Sequence, residues 1–214
     1  MNAMCLRRGV LGGIMLRIGL AMLQGARHEH EEALLASAID LELEIEIVYL
    51  RQAKDVDETI DALVLPGGES TTMMKIQKND DLFESIKIKI NEGMPTLGTC
   101  AGLILLANDV IDGQSSISCL NTVVERNAYG RQNESFEGLV DFNGNKEMYC
   151  FIRAPKIISY ANTVTPIALI DEEVVGIHEN NIVGLSFHPE LSNDIIYLEW
   201  LKNFLKDGLN VRSL

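Results

Sequence analysis

Pro95-Thr-Leu-Gly-Thr-Cys100-Ala-Gly102, followed without a break by Leu103-Ile-Leu-Leu-Ala107, is the stretch on which the reading of the whole chain turns. The apolar residues before Gly98 read as the end of a buried strand, and those after Gly102 as the first turns of a buried helix. Cys100 therefore falls on the turn between them. A glycine two positions to either side lets the chain reverse sharply and hold the intervening side chain in a strained conformation at a helix N-terminus, the arrangement of a nucleophile elbow. The unsatisfied amides and the positive end of the helix dipole suit an anionic sulfur there. The competing reading is a buried structural cysteine on an ordinary strand-to-helix turn.

Working outward, the segments on the N-terminal side alternate between strand and helix patterns. Residues 16–23 read as a first core strand, and Gln24-Gly25-Ala26 as a turn. Residues 27–39 read as an amphipathic helix with Ala33, Leu34 and Ala38 inward. Residues 45–50 and 62–66 are rich in β-branched and apolar residues and predict two further strands, the second ended by Pro66. Residues 82–91 carry Phe83, Ile86 and Ile90 at helical spacing, with Gly93 just past the end. This alternation predicts an α/β fold with a mainly parallel central sheet and helices on both faces. The second half changes character. Short apolar pieces at 122–124, 148–152, 166–170 and 174–177, separated by Gly, Asn and Asp, predict extra strands that are partly antiparallel. Residues 195–205 close the pattern as a helix with Ile196, Leu198, Leu201 and Leu205 as its buried stripe.

A chain of 214 residues suits a single domain with a sizeable core. Its 47% hydrophobic content and mean hydropathy of +0.09 are those of a globular protein. The net charge of -13, from 31 acidic against 18 basic residues, repels a phosphate backbone or an anionic membrane surface, so neither nucleic acid nor membrane is expected as a partner. Cys5, Cys100, Cys119 and Cys150 are widely spaced and include no Cys-x-x-Cys pair, which suits a reduced, cytoplasmic protein. Arg7-Arg8 and the apolar residues 9–16 superficially resemble a signal peptide, but Arg17 interrupts them and the apolar piece is too short to span a bilayer. Residues 1–14 are read as an extension, 15–208 as the domain and 209–214 as a tail.

Three further segments carry chemistry. Pro66-Gly-Gly-Glu-Ser-Thr-Thr72 follows the third strand. Its paired glycines allow close backbone approach to a ligand, and Ser70, Thr71 and Thr72 are N-cap residue types. A phosphate cradle would need the Walker lysine, which is missing, so amides aimed at a developing oxyanion are favoured over both that and a plain helix cap. Residues 182–187 read as a strand running into His188-Pro189-Glu190. Residues two apart on an extended chain face one side, which predicts that His188 and Glu190 act together. A cysteine at an elbow with a histidine and a carboxylate supplies nucleophile, base and orienter for covalent attack on a carbonyl. His28 and His30, two apart on a helix, point in different directions and read as a solvated helix start.

Pro66-Gly-Gly-Glu-Ser70, Gly98-Thr-Cys-Ala-Gly102 and His188-Pro-Glu190 together resemble the class I glutamine amidotransferases, whose triad runs Cys, His, Glu in this order. The segments at 23–26, 67–73, 124–132, 135–137, 151–155 and 186–191 narrow the resemblance to the glutaminase subunits of pyridoxal 5'-phosphate synthases. The alternative is a glutaminase subunit of another class I amidotransferase. The resemblance covers about residues 15–206. It implies a flavodoxin-like fold and hydrolysis of L-glutamine, with ammonia channelled to a synthase subunit of β/α-barrel fold assembled as a ring. It also implies that no metal or organic cofactor is needed. By the same resemblance Cys100, His188 and Glu190 are catalytic and the amides of Gly68 and Ala101 hold the oxyanion. Gly68, Glu69, Ser70, Arg126, Ile152 and Arg153 are the residues implied to bind glutamine.

Overall fold

The structure, a computed structural model, describes residues 15–21, 27–68, 81–111, 113, 117–126, 128–129, 135–192 and 195–211, with side chains of the last segment through 208. In chain order the elements are β1 (Met15–Ala21), α1 (Arg27–Asp40), β2 (Glu44–Leu50), β3 (Ala62–Leu65), α2 (Leu82–Asn91), β4 (Thr96–Thr99) and α3 (Ala101–Leu106). There follow β5 (Ala107–Ile111), β6 (Leu120–Glu125), β7 (Ser135–Phe142), β8 (Asn145–Ile152), β9 (Lys156–Tyr160), β10 (Thr165–Ile170), β11 (Glu173–Glu179), β12 (Ile182–Leu185) and α4 (Ile195–Val211).

Nine strands form one sheet in the order β2-β1-β3-β4-β12-β11-β10-β7-β8, and β5-β6-β9 form a second. From β2 to β12 neighbouring strands run parallel, and from β12 outward they are antiparallel. The expected α/β architecture is thus present; of the added strands of the second half, β7, β8, β10 and β11 extend the same sheet, whereas β6 pairs in the small one. The period of a strand distributes β3 between the two faces. Leu63 and Leu65 join the core beneath α2 and α3, whereas Ala62 and Val64 join the core beneath α1 and α4. A parallel strand covered on both faces needs apolar residues at every position, which is why Ala62-Leu-Val-Leu65 shows no polar alternation.

Three departures from the sequence pattern have physical causes. The apolar run after Cys100 is helical only to Leu106. Ala107 turns to an extended conformation and the next residues pair with β6, so strand pairing overrides the apparent helix. In α4 the buried side is formed by Tyr197, Leu201, Phe204 and Leu205, while Ile196 and Leu198 are half-buried, because the larger rings turn toward the sheet. The helix also runs beyond residue 205, through Val211. No helix among the described residues is long and apolar enough to cross a membrane.

Candidate active site

β3, β4 and β12 are adjacent and parallel, so the segments that leave their carboxyl ends emerge side by side. This is where open parallel sheets place their ligand crevices. The segments are Pro66-Gly67-Gly68, Cys100, and Ser186 through Glu190. Strand order alone therefore gathers residues that lie more than a hundred positions apart.

Cys100 follows β4 directly with φ 49 and ψ −102, a positive-φ conformation rare for a side chain with a Cβ. Its amide donates to Leu185 O at 2.7 Å, and Ile104 N donates to its carbonyl at 3.3 Å, so the strain is held from both sides. The flanking glycines explain how the turn fits. A Cβ on Gly102 would lie 2.0 Å from Leu65 O, and one on Gly98 would lie 2.5 Å from Leu106 Cδ1. Strand, turn and helix can approach this closely only without side chains at those positions.

His188 is buried and fixed at its backbone, where its amide donates to Cys150 O at 2.9 Å in an isolated bridge to β8. The sequence predicts extended backbone from His188 to Glu190. Instead, Pro189–Leu191 form a 3-10 turn, closed by Ser192 N and Ser192 Oγ donating to Pro189 O at 3.1 and 2.7 Å. The two side chains still meet, His188 Nδ1 lying 2.8 Å from Glu190 Oε1. With Nδ1 engaged there, Nε2 is the ring nitrogen left for Cys100, with which His188 hydrogen-bonds. The Cys100 sulfur also lies 3.5 Å from the carbonyl oxygen of Ile152, at the end of β8. A Cβ on Gly67 would stand 2.3 Å from His188 Cε1 and 3.3 Å from Cys100 Cβ, so cysteine, histidine and the glycine loop occupy one small volume.

Burial by itself depresses the His188 imidazolium, but the hydrogen bonds to Cys100 and Glu190 and the charges of both outweigh it, raising the ring to about 10. Burial pushes the Glu190 carboxyl up. The charge of His30, the hydrogen bonds from His188 and His30 and the charge of His188 outweigh that and bring it down to about 2. At neutral pH the pair is therefore an imidazolium facing a carboxylate.

His30 overturns the reading of residues 28 and 30 as a solvated helix start. His28 is exposed, as expected, but His30 is 1% exposed, with Nε2 3.0 Å from Thr99 Oγ1 and 3.3 Å from Glu190 Oε1. The signal was present in the helix pattern. Residues 30, 34, 37 and 38 are the buried positions of α1, and they follow the i, i+4, i+7, i+8 stripe of an amphipathic helix. Thr99 was likewise invisible as a site residue. Its hydroxyl accepts from Gly67 N at 3.2 Å, and nothing in a strand-end threonine announces that contact.

Ala101 is buried as the first residue of α3, and Gly68 is half-buried after Gly67. Ile152 reaches the sulfur through its backbone, followed by exposed Arg153 at φ 45. Arg126 follows the end of β6, beside Gly113. Glu69 and Ser70 lie outside the described residues. Among the described residues no group of three or more His, Cys, Asp and Glu is arranged to hold a metal ion.

Known proteins resemble this chain along nearly its whole length. A relative from Thermococcus onnurineus described as pyridoxal 5'-phosphate synthase subunit PdxT is 46% identical over 201 residues, covering 91% of this chain and 100% of its own length. The protein of the same description from Pyrococcus horikoshii is 42% identical, covering 84% and 94%. A crystal structure of a glutamine amidotransferase superposes with a TM-score of 0.77 at 33% identity, covering 89% of this chain and 98% of that one. Residues 20–206, which include the elbow, the histidine turn and the glycine loop that converge here, match the SNO glutamine amidotransferase family, and the chain belongs to that family.

Proposed function

We propose that this chain hydrolyses L-glutamine to L-glutamate and ammonia through a thioester on Cys100, as the glutaminase subunit of a pyridoxal 5'-phosphate synthase. The observation that carries the reading is Cys100 at positive φ beside the carboxyl end of β4, hydrogen-bonded to a histidine that Glu190 holds. An imidazolium paired with a cysteine sulfur is the resting state from which attack on an amide needs no separate base.

In the first half-reaction the Cys100 sulfur attacks the side-chain amide carbon of glutamine, and the carbonyl π pair moves onto oxygen. The amides of Gly68 and Ala101 hold that oxyanion, where loss of one donor typically costs about 3 to 4 kcal/mol of barrier. His188 gives its proton to the departing nitrogen, which leaves as ammonia when the C–N bond breaks. Neutral His188 then takes a proton from water as the oxygen attacks the thioester, and the C–S bond breaks to release glutamate and restore the pair. Glu190 orients the ring throughout. Gly68, Glu69, Ser70, Arg126, Ile152 and Arg153 bind glutamine, a guanidinium matching its α-carboxylate.

The partner in this reading is a synthase subunit of β/α-barrel fold assembled as a ring, on which each glutaminase docks in the cytoplasm. Its product is pyridoxal phosphate, and no cofactor is bound by the glutaminase itself. The test is to mix the chain with the cognate synthase and follow pyridoxal phosphate formation from glutamine, against an ammonia-fed control. Cys100→Ala is expected to abolish the glutamine-fed rate and leave the ammonia-fed rate intact. Normal glutamine turnover by that variant would refute the mechanism.

A further inference from the structure

Glu190 occupies an unusual position for a side chain that only steadies a histidine. Its carboxylate is fully buried, and Oε2 has no hydrogen-bond partner among the described residues. An ionised carboxylate in that position is costly unless other groups hold it. Oε1 therefore does the holding, and two imidazoles converge on it, His188 Nδ1 at 2.8 Å and His30 Nε2 at 3.3 Å. The second of these rings comes from α1, an element that contributes nothing else to the triad.

We propose that His30 is a positioning residue for glutamine hydrolysis: its Nε2–H is shared between the Glu190 carboxylate and Thr99 Oγ1, and so fixes the carboxylate relative to the nucleophile strand and the Gly67 loop. This inference rests on the glutaminase reading and extends it to a fourth side chain. A carboxylate has no proton to give, so an unprotonated Nε2 lone pair facing Oε1 would be repelled. Nε2 must therefore carry the hydrogen. Thr99 Oγ1, 3.0 Å from the same nitrogen, accepts it on one side and accepts Gly67 N–H, at 3.2 Å, on the other. One imidazole thus joins α1, the end of β4 beside Cys100, the loop after β3 and the turn that carries Glu190.

The role follows from the proton movements of the reaction. His188 surrenders its proton to the departing amide nitrogen, which leaves as ammonia, and recovers one from water in every cycle, so the charge facing Glu190 alternates. His30 takes no part in that transfer, because its Nε2 is directed at Glu190 Oε1 and Thr99 Oγ1 and not at the sulfur. It keeps a second donor on the carboxylate, beside Nδ1–H of His188, when His188 loses its charge. The titratable groups that bear on Glu190 are His188 on its own turn, His30 on α1, Cys150 on β8 and Tyr197 on α4. Cys100 lies beyond His188, and Tyr149 of β8 is near Tyr197.

The test compares His30→Phe, which keeps the ring volume and removes the donor, with His30→Gln, which restores an N–H near the position of Nε2. Glutaminase turnover is measured in the presence of the cognate synthase across a pH series. His30→Phe is expected to lose about tenfold to a hundredfold in kcat with KM for glutamine little altered, as for a displaced catalytic group. The acid limb of its profile moves to higher pH, because a carboxylate deprived of a donor protonates more readily. His30→Gln is expected to recover most of the kcat and the parental acid limb. A His30→Phe variant with the parent's kcat and acid limb, a loss confined to KM, or equal losses in both variants would overturn the assignment. Nitrogen-15 NMR of the imidazoles in the parent chain tests the same point without any substitution, since a His30 ring with Nε2 unprotonated refutes it. Failure of the parent to release ammonia from glutamine would instead count against the glutaminase reading.

Discussion

Cys100, His188 and Glu190 are useful to one another because each is buried and each is paired. The sign of the pH dependence follows from the two shifts. His188, lifted to about 10, contributes stability that is complete below the ordinary histidine value and is lost as pH rises through about 10. Glu190, lowered to about 2, contributes stability that is present above the ordinary carboxyl value and is lost as pH falls through about 2. Glu190→Gln removes the charge and much of the contact that raise His188. The alkaline limb of the kcat/KM profile is therefore expected to move to lower pH, with kcat reduced about a hundredfold, and a pH–rate series measures both. Gly67 is equally constrained, since a Cβ there would meet His188 Cε1 at 2.3 Å. Gly67→Ala is expected to lower kcat about a hundredfold or more while far-ultraviolet circular dichroism stays that of the parent, because the conflict lies between a loop and one ring.

At the scale of elements, the elbow and the β7–β8 hairpin do different jobs. The elbow is a packing problem solved by glycine, and its most crowded point is Gly102 against the backbone of Leu65. Gly102→Ala is expected to cost about 1 to 3 kcal/mol in urea unfolding, since backbone cannot yield as a side chain can. The hairpin acts at a distance from the nucleophile in sequence but beside it in space. Ile152 O faces the sulfur, Cys150 O fixes His188, and Phe151 between them is fully buried against Phe136 and Phe187. Phe151→Ala is expected to cost about 3 to 5 kcal/mol of stability and to reduce turnover as well, whereas Phe151→Leu loses less of both. Paired thermal unfolding and glutaminase assays separate the two effects. None of this was legible from the apolar run at 148–152, which announces a strand but not the strand's neighbours.

At the scale of the whole molecule, the small sheet is joined to the large one through Glu179. This buried carboxylate accepts from Asn121 N at 2.8 Å and Asn121 Nδ2 at 2.7 Å, and from the Thr163 hydroxyl. Burial pushes its carboxyl up, and these hydrogen bonds together bring it below the usual range. Its contribution is thus present above the ordinary carboxyl value and declines as pH falls below it. Glu179→Ala is expected to destabilise the protein by about 2 to 3 kcal/mol at neutral pH and by less in acid, as read from urea midpoints at two pH values. The parallel half of the large sheet gathers the reactive groups, and the antiparallel half supplies the hairpin that holds them.

The sequence by itself determined the alternating strands and helices of the first half, the elbow at Cys100 and the association of His188 with Glu190. Each of these depends on residues close together along the chain, where period, glycine placement and spacing act directly. Only the tertiary structure decided the strands β5, β7 and β9, the inward turn of His30 and the approach of Ile152 to the sulfur. Those features depend on pairings between distant segments, in which burial and strand order outweigh local preference. The same histidine that a helix pattern leaves equally at home in water or in a core becomes a site residue because β4 and the turn after β12 close over it.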